Sequence, residues 1–404
     1  MKNKDIKIAL IGNLNNNHFT MMRYLRDLGY DAYLLLYIED GQGVNSHFVP
    51  ENDTWDIDKW SNYIVQTKLN NGSFRAFKHL FFSNYVKVLL NSYDIIIGNG
   101  FAPAYSYFAK KRLNMFMPYM VGVEFLNLTK SNNIFQSFKY YIYRKVQTLG
   151  IKYFTDCVAT YDTSEDNNSF LKKIDVHILN LPIPMIYSDS KPVDINLNKL
   201  KINRFIEEIK TCDLSVFSHV AHIWKNIPNN FFDVKKNNIL IEGFAKYVKT
   251  KKSNNYTAKL FLVDYGPDVL SSKDLIKKLH IEAYVTWLPK MSRKEIMLLL
   301  EYVSLGCSEL GGLLWGGIGW EFLSKGVPFF HYLEISKNNF PNSPNPSFLN
   351  VKTIDEIANH LHNYEINPDK YKKIGESSNE WFNKYNGVGL VEKYMCYLNN
   401  SIRD

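Results

Sequence analysis

Short apolar runs that alternate with longer amphipathic stretches are the feature that most limits how this chain can fold. Ile6 to Ile11 is followed by a helical pattern through Met21 to Leu28, and then by a second apolar run from Ala32 to Tyr37. Strands that are buried on both faces appear in a sequence as continuous apolar runs, and a strand–helix–strand order favours parallel pairing. The pattern predicts an α/β fold with helices on both faces of a mostly parallel sheet.

The alternation continues through the rest of the chain and is interrupted once. Between residues 188 and 209 the sequence becomes polar and rich in Lys and Asn, which is typical of a linker between domains. Apolar runs of strand length precede this segment at Ile95–Ile97, Tyr119–Val123, Cys157–Thr160 and His177–Leu179, and follow it at Leu214–Phe217, Lys259–Val263, Tyr284–Leu288, Val303–Cys307 and Val327–His331.

Two domains of the same architecture are therefore predicted. One Rossmann-like domain is expected at 1–190 and a second at 210–384. Parallel sheets of this kind bind ligands at the carboxyl ends of their strands, so we expect the two domains to face a cleft. The helical tail at 385–404 is expected to cross back onto the first domain.

Charge, cysteine content and hydropathy narrow the class of protein. The formal net charge of +8 favours anionic partners such as phosphates. The four cysteines are far apart in the sequence, which disfavours a zinc site or a disulfide framework and indicates a reducing cytoplasm. No window approaches the roughly 20 apolar residues of a membrane span, so we expect the chain to lie at most on the inner face of a membrane.

The segment most indicative of chemistry is 315–328. Its glycines Gly316, Gly317 and Gly319 precede a short helical pattern. Glycine lets the backbone approach a ligand closely, and the free N–H groups at the N-terminus of a helix favour a pyrophosphate. Glu321, further along the same helix, is suited to accept hydrogen bonds from a ribose diol. Tight packing and a favourable interaction with the helix dipole are the alternative explanation for the same residues.

Several segments match one known family in order and spacing. They lie at 235–244, 261–268, 285–289, 293–296 and 316–328. Together they resemble the donor half of the family-4 glycosyltransferases, also called glycosyl transferases group 1. The resemblance implies a GT-B fold, a nucleotide-sugar donor and retention of the anomeric configuration.

The resemblance also assigns roles to single residues. Lys235 falls on the family's phosphate-binding lysine, and Glu321 on the second glutamate of its paired-glutamate motif, which holds the donor ribose. Trp315 and Gly316 fall on the aromatic–glycine pair between those glutamates, and Gly266 belongs to the matching string at 261–268. Departure of a nucleoside diphosphate concentrates negative charge on the β-phosphate, so a fixed cation must already point there. Because Lys235 and backbone amides are suited to that task, we expect no metal ion or other cofactor.

Two departures from the family pattern affect the donor site. Eight residues before Glu321, where the family has its first glutamate, the chain has Leu313, so that contact is absent or comes from Glu309 through an insertion. Where related sequences carry an arginine upstream of the lysine, this chain has Ala221. A buried histidine is more often simply a hydrogen-bonded core residue, but three residues are candidates for the cation: His219, His222 and Lys225.

Candidate residues in the first domain follow predicted strands. The loop after the first strand is rich in Gly and Asn, which tolerate left-handed backbone conformations. In GT-B enzymes the loop at this position meets the donor phosphate or the acceptor. The candidates are Gly12, Asn13, Asn16, Asn17 and His18, with Asn99 and Glu124 at two later strand ends. Of these, His18 and Glu124 are catalytic candidates, together with Lys235.

Two aromatic–basic stretches in the first domain, 74–82 and 138–145, are typical of helices that dock on anionic lipid headgroups. Such stretches also suit nucleic acid, and a core stripe with a solvated basic flank is a third explanation. The leading hypothesis is sugar transfer to a saccharide, lipid-linked or free, in the synthesis of a bacterial surface polysaccharide or a lipid-linked glycan. A phage-type DNA-modifying glycosyltransferase that acts on a hydroxymethylated base and a non-catalytic protein that binds an anionic ligand are the alternatives.

Overall fold

The structure is a computed structural model, and it describes residues 6–38, 49–71, 84–118, 133–160, 171–188, 195–225, 234–251, 255–312, 316–334, 340 and 343–403. Contacts divide the chain into two units. The first consists of residues 1–187 and 386–404, and the second of residues 188–385.

The first unit contains a seven-stranded parallel sheet in the order β3-β2-β1-β4-β5-β6-β7. The strands are β1 Lys7–Ile11, β2 Asp31–Leu36, β3 Ile64–Gln66, β4 Ile95–Gly98, β5 Met115–Phe116, β6 Cys157–Ala159 and β7 His177–Leu179. The helices described between them are α1 Asn17–Asp27, α2 Ile57–Ser61, α3 Tyr85–Asn91, α4 Ala102–Ala109 and α5 Ile134–Phe154.

The central strand β1 is buried on both faces of the sheet. Ala9 and Ile11 belong to one hydrophobic core, whereas Ile8 and Leu10 belong to another. Successive side chains of a strand point to opposite faces, so four consecutive apolar residues serve two cores. This explains why β1 appears in the sequence as an uninterrupted apolar run after Lys7.

The second unit contains a six-stranded parallel sheet in the order β10-β9-β8-β11-β12-β13. The strands are β8 Leu214–Ser218, β9 Ala258–Val263, β10 Val285–Leu288, β11 Leu305–Cys307, β12 Phe329–His331 and β13 Leu349–Asn350. The helices are α6 Asn203–Lys210, α7 Asn237–Thr250, α8 Val269–Leu279, α9 Arg293–Leu299, α10 Gly317–Lys325, α11 Ile354–Ile366 and α12 Pro368–Tyr385. The polar segment at 188–209 thus contributes α6 to this unit.

The last helix, α13 Val388–Arg403, belongs to the first unit although the chain enters it from the second. Leu390 and Val391 on this helix are buried in the same core as Ile8 of β1. The hydroxyl of Tyr394 donates a hydrogen bond to the carbonyl of Pro182 at 2.6 Å. Burial of one apolar face therefore attaches the end of the chain to the first sheet.

The predicted α/β architecture with two parallel sheets is confirmed. Three short strands, β3, β5 and β13, are absent from the sequence prediction, and the run at 119–123 lies outside the described residues. Within the part of the chain that the structure describes, no helix is long and apolar enough to span a bilayer.

Candidate active site

The polar candidates of the second unit gather at one edge of its sheet. Strand β8 ends at Ser218, and the neighbouring strand β11 ends at Cys307, two residues before Glu309. The hydroxyl of Ser218 donates to the carbonyl of Cys307 at 2.9 Å and ties the two strand ends together. This is the carboxyl edge of the sheet, where α/β folds bind ligands.

Lys235 forms an ion pair with Glu309 at this edge. The two side chains are only 10% and 9% exposed. The N–H of Lys235 donates to the carbonyl of Ile223 at 2.8 Å, and its own carbonyl accepts a hydrogen bond from the N–H of Leu310 at 3.3 Å. Backbone bonds to the loops that follow β8 and β11 therefore fix the backbone of the lysine.

Glu309 also lies directly against the glycine segment. A Cβ atom added at Gly316 would lie 2.6 Å from Oε1 of Glu309, so a larger residue at this position would require the carboxylate to move. Helix α10 begins at the next residue, Gly317, and the N–H of Gly319 donates back to the carbonyl of Gly316 at 3.1 Å. The expectation that all three glycines precede the helix was wrong, because Gly317 and Gly319 form its first turn.

Glu321 is buried on α10 and bonded through both carboxylate oxygens. Oε2 lies 2.6 Å from Nε2 of His219, and Oε1 accepts a hydrogen bond from Nε of Arg293 at 3.2 Å. Burial by itself raises the pKa of Glu321, but the charges and hydrogen bonds of His219 and Arg293 outweigh it and hold the pKa below its ordinary value. The carboxylate is therefore ionised at neutral pH and fixed in orientation.

Arg293 is the residue of this site that the sequence analysis missed. It is the first residue of α9, directly after Ser292, which forms a capping box with Glu295. The Ser-x-x-Glu pattern predicts where this helix begins. It gives no sign that the first side chain of the helix contacts a carboxylate 28 residues further along the chain.

The three candidates for the missing arginine lie in different surroundings. The ring of His219 stacks on Phe217 and contacts Glu321. His222 contacts the hydroxyl of Ser272 at 2.8 Å, and burial lowers the pKa of His222 to about 4, so it carries no charge at neutral pH. Lys225 is exposed. Of the three, His219 is the one that the described contacts connect to Glu321.

Gly266 shapes the neighbouring loop. Its φ of 114° is in the range that favours glycine, and an added Cβ would lie 2.3 Å from the backbone nitrogen of His222. The N–H of His222 donates to the carbonyl of Tyr265, and the N–H of Asp268 donates to the carbonyl of His222, both at 3.0 Å. Gly266 thus lets the loop after β9 pack on the loop after β8.

In the first unit, the loop after β1 adopts the left-handed conformations that its composition permits. Gly12 has a φ of 80°, and Asn15 and Asn16 have φ values of 52° and 58°. The side chain of Asn13 accepts a hydrogen bond from the N–H of Phe19 at 3.0 Å and donates to Asn16 at 2.6 Å. The asparagines therefore hold the turn between β1 and α1 in place.

His18 and its neighbours are buried at the same turn. Nδ1 of His18 lies 3.0 Å from the carbonyl of Gly12, 3.1 Å from that of Ile11 and 3.4 Å from the amide nitrogen of Asn99. Burial lowers the pKa of His18 to about 4. Because carbonyls only accept, Nδ1 carries the proton and Nε2 is an acceptor. Within the described part of the chain, neither Nε2 nor the side-chain amide of Asn17 has a hydrogen-bond partner.

Two of the candidates lie outside the described residues: Glu124 and Trp315. The same holds for Leu313 and for the aromatic–basic stretch at 74–82.

The two parallel sheets, each flanked by helices, place this chain in the GT-B fold class, and solved structures match it along almost its whole length. No family model matches the sequence, and no curated protein is significantly similar to it. The Anabaena protein HepE, solved in complex with UDP and glucose, matches with a TM-score of 0.56 and 12% identity over 98% of this chain and 100% of that chain.

Two further structures show how widely this fold is shared. A glycosyltransferase from Rickettsia africae ESF-5 matches with a TM-score of 0.57 and 14% identity, over 99% of each chain. A putative UDP-N-acetylglucosamine 2-epimerase from Listeria monocytogenes matches with a TM-score of 0.55 and 10% identity, over 98% of this chain and 96% of that chain. At such low identities the matches establish the fold and leave the reaction to be argued from the site.

Proposed function

We propose that this protein is a glycosyltransferase that moves a sugar from a nucleotide-sugar donor to a saccharide acceptor. The observation that carries the proposal is the placement of Lys235, Glu309 and Glu321 around the start of α10. A buried cation beside the N-terminus of a helix is suited to a diphosphate. An ionised carboxylate one turn further along the helix is suited to a ribose diol.

In this proposal each residue has one task. Lys235 stabilises the charge that develops on the β-phosphate as the sugar departs. Glu321 accepts hydrogen bonds from the ribose, and His219 and Arg293 hold its orientation. Glu309 supplies the contact to the donor sugar that the first glutamate makes in the family-4 enzymes. Retention of configuration, which that resemblance implies, is part of the proposal, as is a reaction without a metal ion.

For the acceptor, we propose that Nε2 of His18 accepts a hydrogen bond from a sugar hydroxyl. Its low pKa keeps the ring neutral, so this atom remains an acceptor at physiological pH. A lipid-linked saccharide at the inner face of a membrane, in surface polysaccharide synthesis, is the acceptor that we favour. The net charge of +8 supports an acceptor of this class.

The test is a thermal-shift screen of nucleotide sugars, followed by product analysis. UDP and UDP-glucose are the first ligands to use, because HepE was solved with both. A ligand that binds only the folded protein raises its melting temperature. We expect stabilisation by a nucleotide sugar and release of the nucleoside diphosphate that depends on a saccharide acceptor.

Three other results would each replace the proposal. A changed sugar that stays attached to the nucleotide would indicate an epimerase, which shares this fold in the Listeria protein. Binding without any turnover would indicate a non-catalytic anion-binding protein. Sugar transfer to a modified base, with duplex binding that weakens roughly 10³-fold or more between 50 and 200 mM salt, would indicate a DNA-modifying enzyme.

A further inference from the structure

Helix α5 exposes an unusual amount of apolar surface. Eight large hydrophobic side chains are strongly exposed among the described residues, and five of them are on this one helix: Ile134, Phe135, Phe138, Tyr141 and Tyr153. Ile134 and Phe135 are 79% and 81% exposed, and Phe138 and Tyr141 are each 61% exposed. Scattered exposed apolar residues are normal in folded proteins, but a cluster on one element indicates an interaction surface.

The opposite side of α5 already has its packing partner. Tyr143 is buried against Phe101, and the side-chain amide of Gln147 donates to the carbonyl of Gly100 at 2.7 Å. A Cβ added at Gly150 would lie 2.1 Å from the carbonyl oxygen of Pro103, so the helix is in close contact with the start of α4. Among the described residues, this packing of α5 is made by Tyr143, Gln147 and Gly150 and does not involve the exposed apolar side chains.

Three of the exposed apolar residues and two lysines form one face of the helix. At 100° per residue, Ile134, Phe138, Tyr141, Lys145 and Lys152 all point in nearly the same direction, away from Tyr143 and Gln147. We call these five residues the outer face of α5. Its first two turns are apolar and the following turns are basic.

The charge on α5 has one sign. Its sequence contains four basic residues, Lys139, Arg144, Lys145 and Lys152, and no Asp or Glu. A second copy of the chain docked through the same face would place like charges together, which disfavours a symmetric dimer. A partner with an apolar layer beneath an anionic surface matches both halves of the outer face.

We propose that the outer face of α5 docks on an anionic membrane surface. Ile134, Phe138 and Tyr141 enter the boundary between headgroups and acyl chains, and Lys145 and Lys152 contact lipid phosphates. The inference rests on α5 alone and is independent of the sugar-transfer reaction.

Sedimentation of the full-length protein with vesicles tests the proposal. One set of vesicles contains equal parts phosphatidylglycerol and phosphatidylcholine, and the other contains phosphatidylcholine alone. We expect binding to the anionic vesicles. The double variant Phe138→Ala, Tyr141→Ala should lower the partition coefficient roughly tenfold. The double variant Lys145→Ala, Lys152→Ala should lower it roughly fivefold for each lysine removed, at low salt.

A matched control comes from the second unit, where Leu270 and Ile366 are 75% and 66% exposed on other helices. The variant Leu270→Ala, Ile366→Ala should bind vesicles as the unchanged protein does. Equal vesicle binding by the Phe138, Tyr141 variant and the unchanged protein would overturn the proposal. Three other results would also overturn it. These are equal binding to both kinds of vesicle, an unchanged protein that is a dimer while the Phe138, Tyr141 variant is a monomer, and stronger binding of α5 to duplex DNA than to vesicles.

Discussion

Nε2 of His219 lies 2.6 Å from Oε2 of Glu321, and both side chains are only 7% exposed. Arg293 donates to the other oxygen of the same carboxylate at 3.2 Å. His219, directly after β8, and Arg293, the first residue of α9, thus hold the carboxylate of Glu321 on α10 from two sides. A group that is buried and bonded in this way keeps a defined orientation before a ligand arrives.

Replacement of this carboxylate should weaken nucleotide binding. We expect Glu321→Ala to raise the dissociation constant for UDP about ten- to a hundredfold, since hydrogen bonds to a charged group contribute about 1.5–3 kcal/mol. Calorimetry measures the effect. Glu301→Ala is the control, because Glu301 is exposed and pairs with Lys325 at the far end of α10. Unchanged affinity in Glu321→Ala would remove this residue from the donor site.

Lys235 should affect turnover and stability separately. Lys235→Ala is expected to lower turnover about 10²–10³-fold, the usual effect of losing a preorganised charge-stabilising group. It also leaves Glu309 buried without the lysine, which costs about 3 kcal/mol of unfolding free energy.

The double variant Lys235→Ala, Glu309→Gln distinguishes the two effects. We expect it to recover most of the stability in urea unfolding and none of the turnover. Lys246→Ala, which breaks an exposed pair with Asp355, should change stability by less than about 1 kcal/mol. Near-normal turnover in Lys235→Ala would contradict the role proposed for this lysine.

The sequence alone predicts those strands that contain a clear run of apolar residues. β1 and β9 each contain four consecutive apolar residues, Ile8–Ile11 and Leu260–Val263, and all of these are buried in the structure. β5 and β13 are only two residues long, too short for any periodicity to stand out. The two-sheet architecture therefore followed from the pattern although several strands did not.

The pairing of side chains in the site was beyond the reach of sequence patterns. Lys235 and Glu309 are 74 positions apart, and His219 and Glu321 are 102 apart. Whether such residues meet depends on the course of several loops, which spacing does not specify. The resemblance to family-4 enzymes pointed to Lys235 and Glu321 and included the segment 293–296, but it assigned no role to Arg293.

Gly266 should be required for stability for two reasons: a side chain there would collide with the backbone of His222, and the positive φ of Gly266 favours glycine. Gly266→Ala is expected to lower the unfolding free energy by about 3 kcal/mol, since the new Cβ meets the backbone of His222 and the φ of 114° is strained for alanine. Gly29 separates the two causes, because it has a φ of 85° but no atom near its Cβ direction. Gly29→Ala should therefore cost less, about 1 kcal/mol. Equal losses in both variants, measured by urea unfolding, would show that contact is unimportant.

Activity should survive chelation of divalent metals. The pair Asp56 and Asp58 flanks the start of the short helix α2, and Asp56 accepts a hydrogen bond from the indole of Trp60 at 3.1 Å. This pair of carboxylates does not lie at the end of a strand, which is where carboxylates that bind a metal ion together with a diphosphate would be expected. We expect full turnover in excess EDTA, measured as release of nucleoside diphosphate. Restoration of a chelated, inactive enzyme by manganese would show that a metal is required.

The buried His18 should make stability depend on pH. Burial lowers the pKa of His18 from 6.5 to about 4, so between these values the unfolded chain binds a proton that the folded chain does not. His18 therefore makes its full contribution to the free energy of unfolding above pH 6.5, and this contribution is lost as the pH falls towards 4. The slope is about 1.4 kcal/mol per pH unit, so the loss is on the order of 3 kcal/mol. His222, with a pKa of about 4, acts in the same direction.

Urea unfolding at a series of pH values measures this dependence. His18→Asn is expected to lower stability at every pH, because a buried ring is lost, so the slope and not the absolute value is the informative quantity. Between pH 6.5 and 4 the slope of the variant should be smaller by about 1.4 kcal/mol per pH unit, one proton's worth. Parallel profiles for His18→Asn and the unchanged protein would mean that His18 does not resist protonation in the folded state. Its neutral Nε2 would then no longer be available as the proposed acceptor of a hydrogen bond from a sugar hydroxyl.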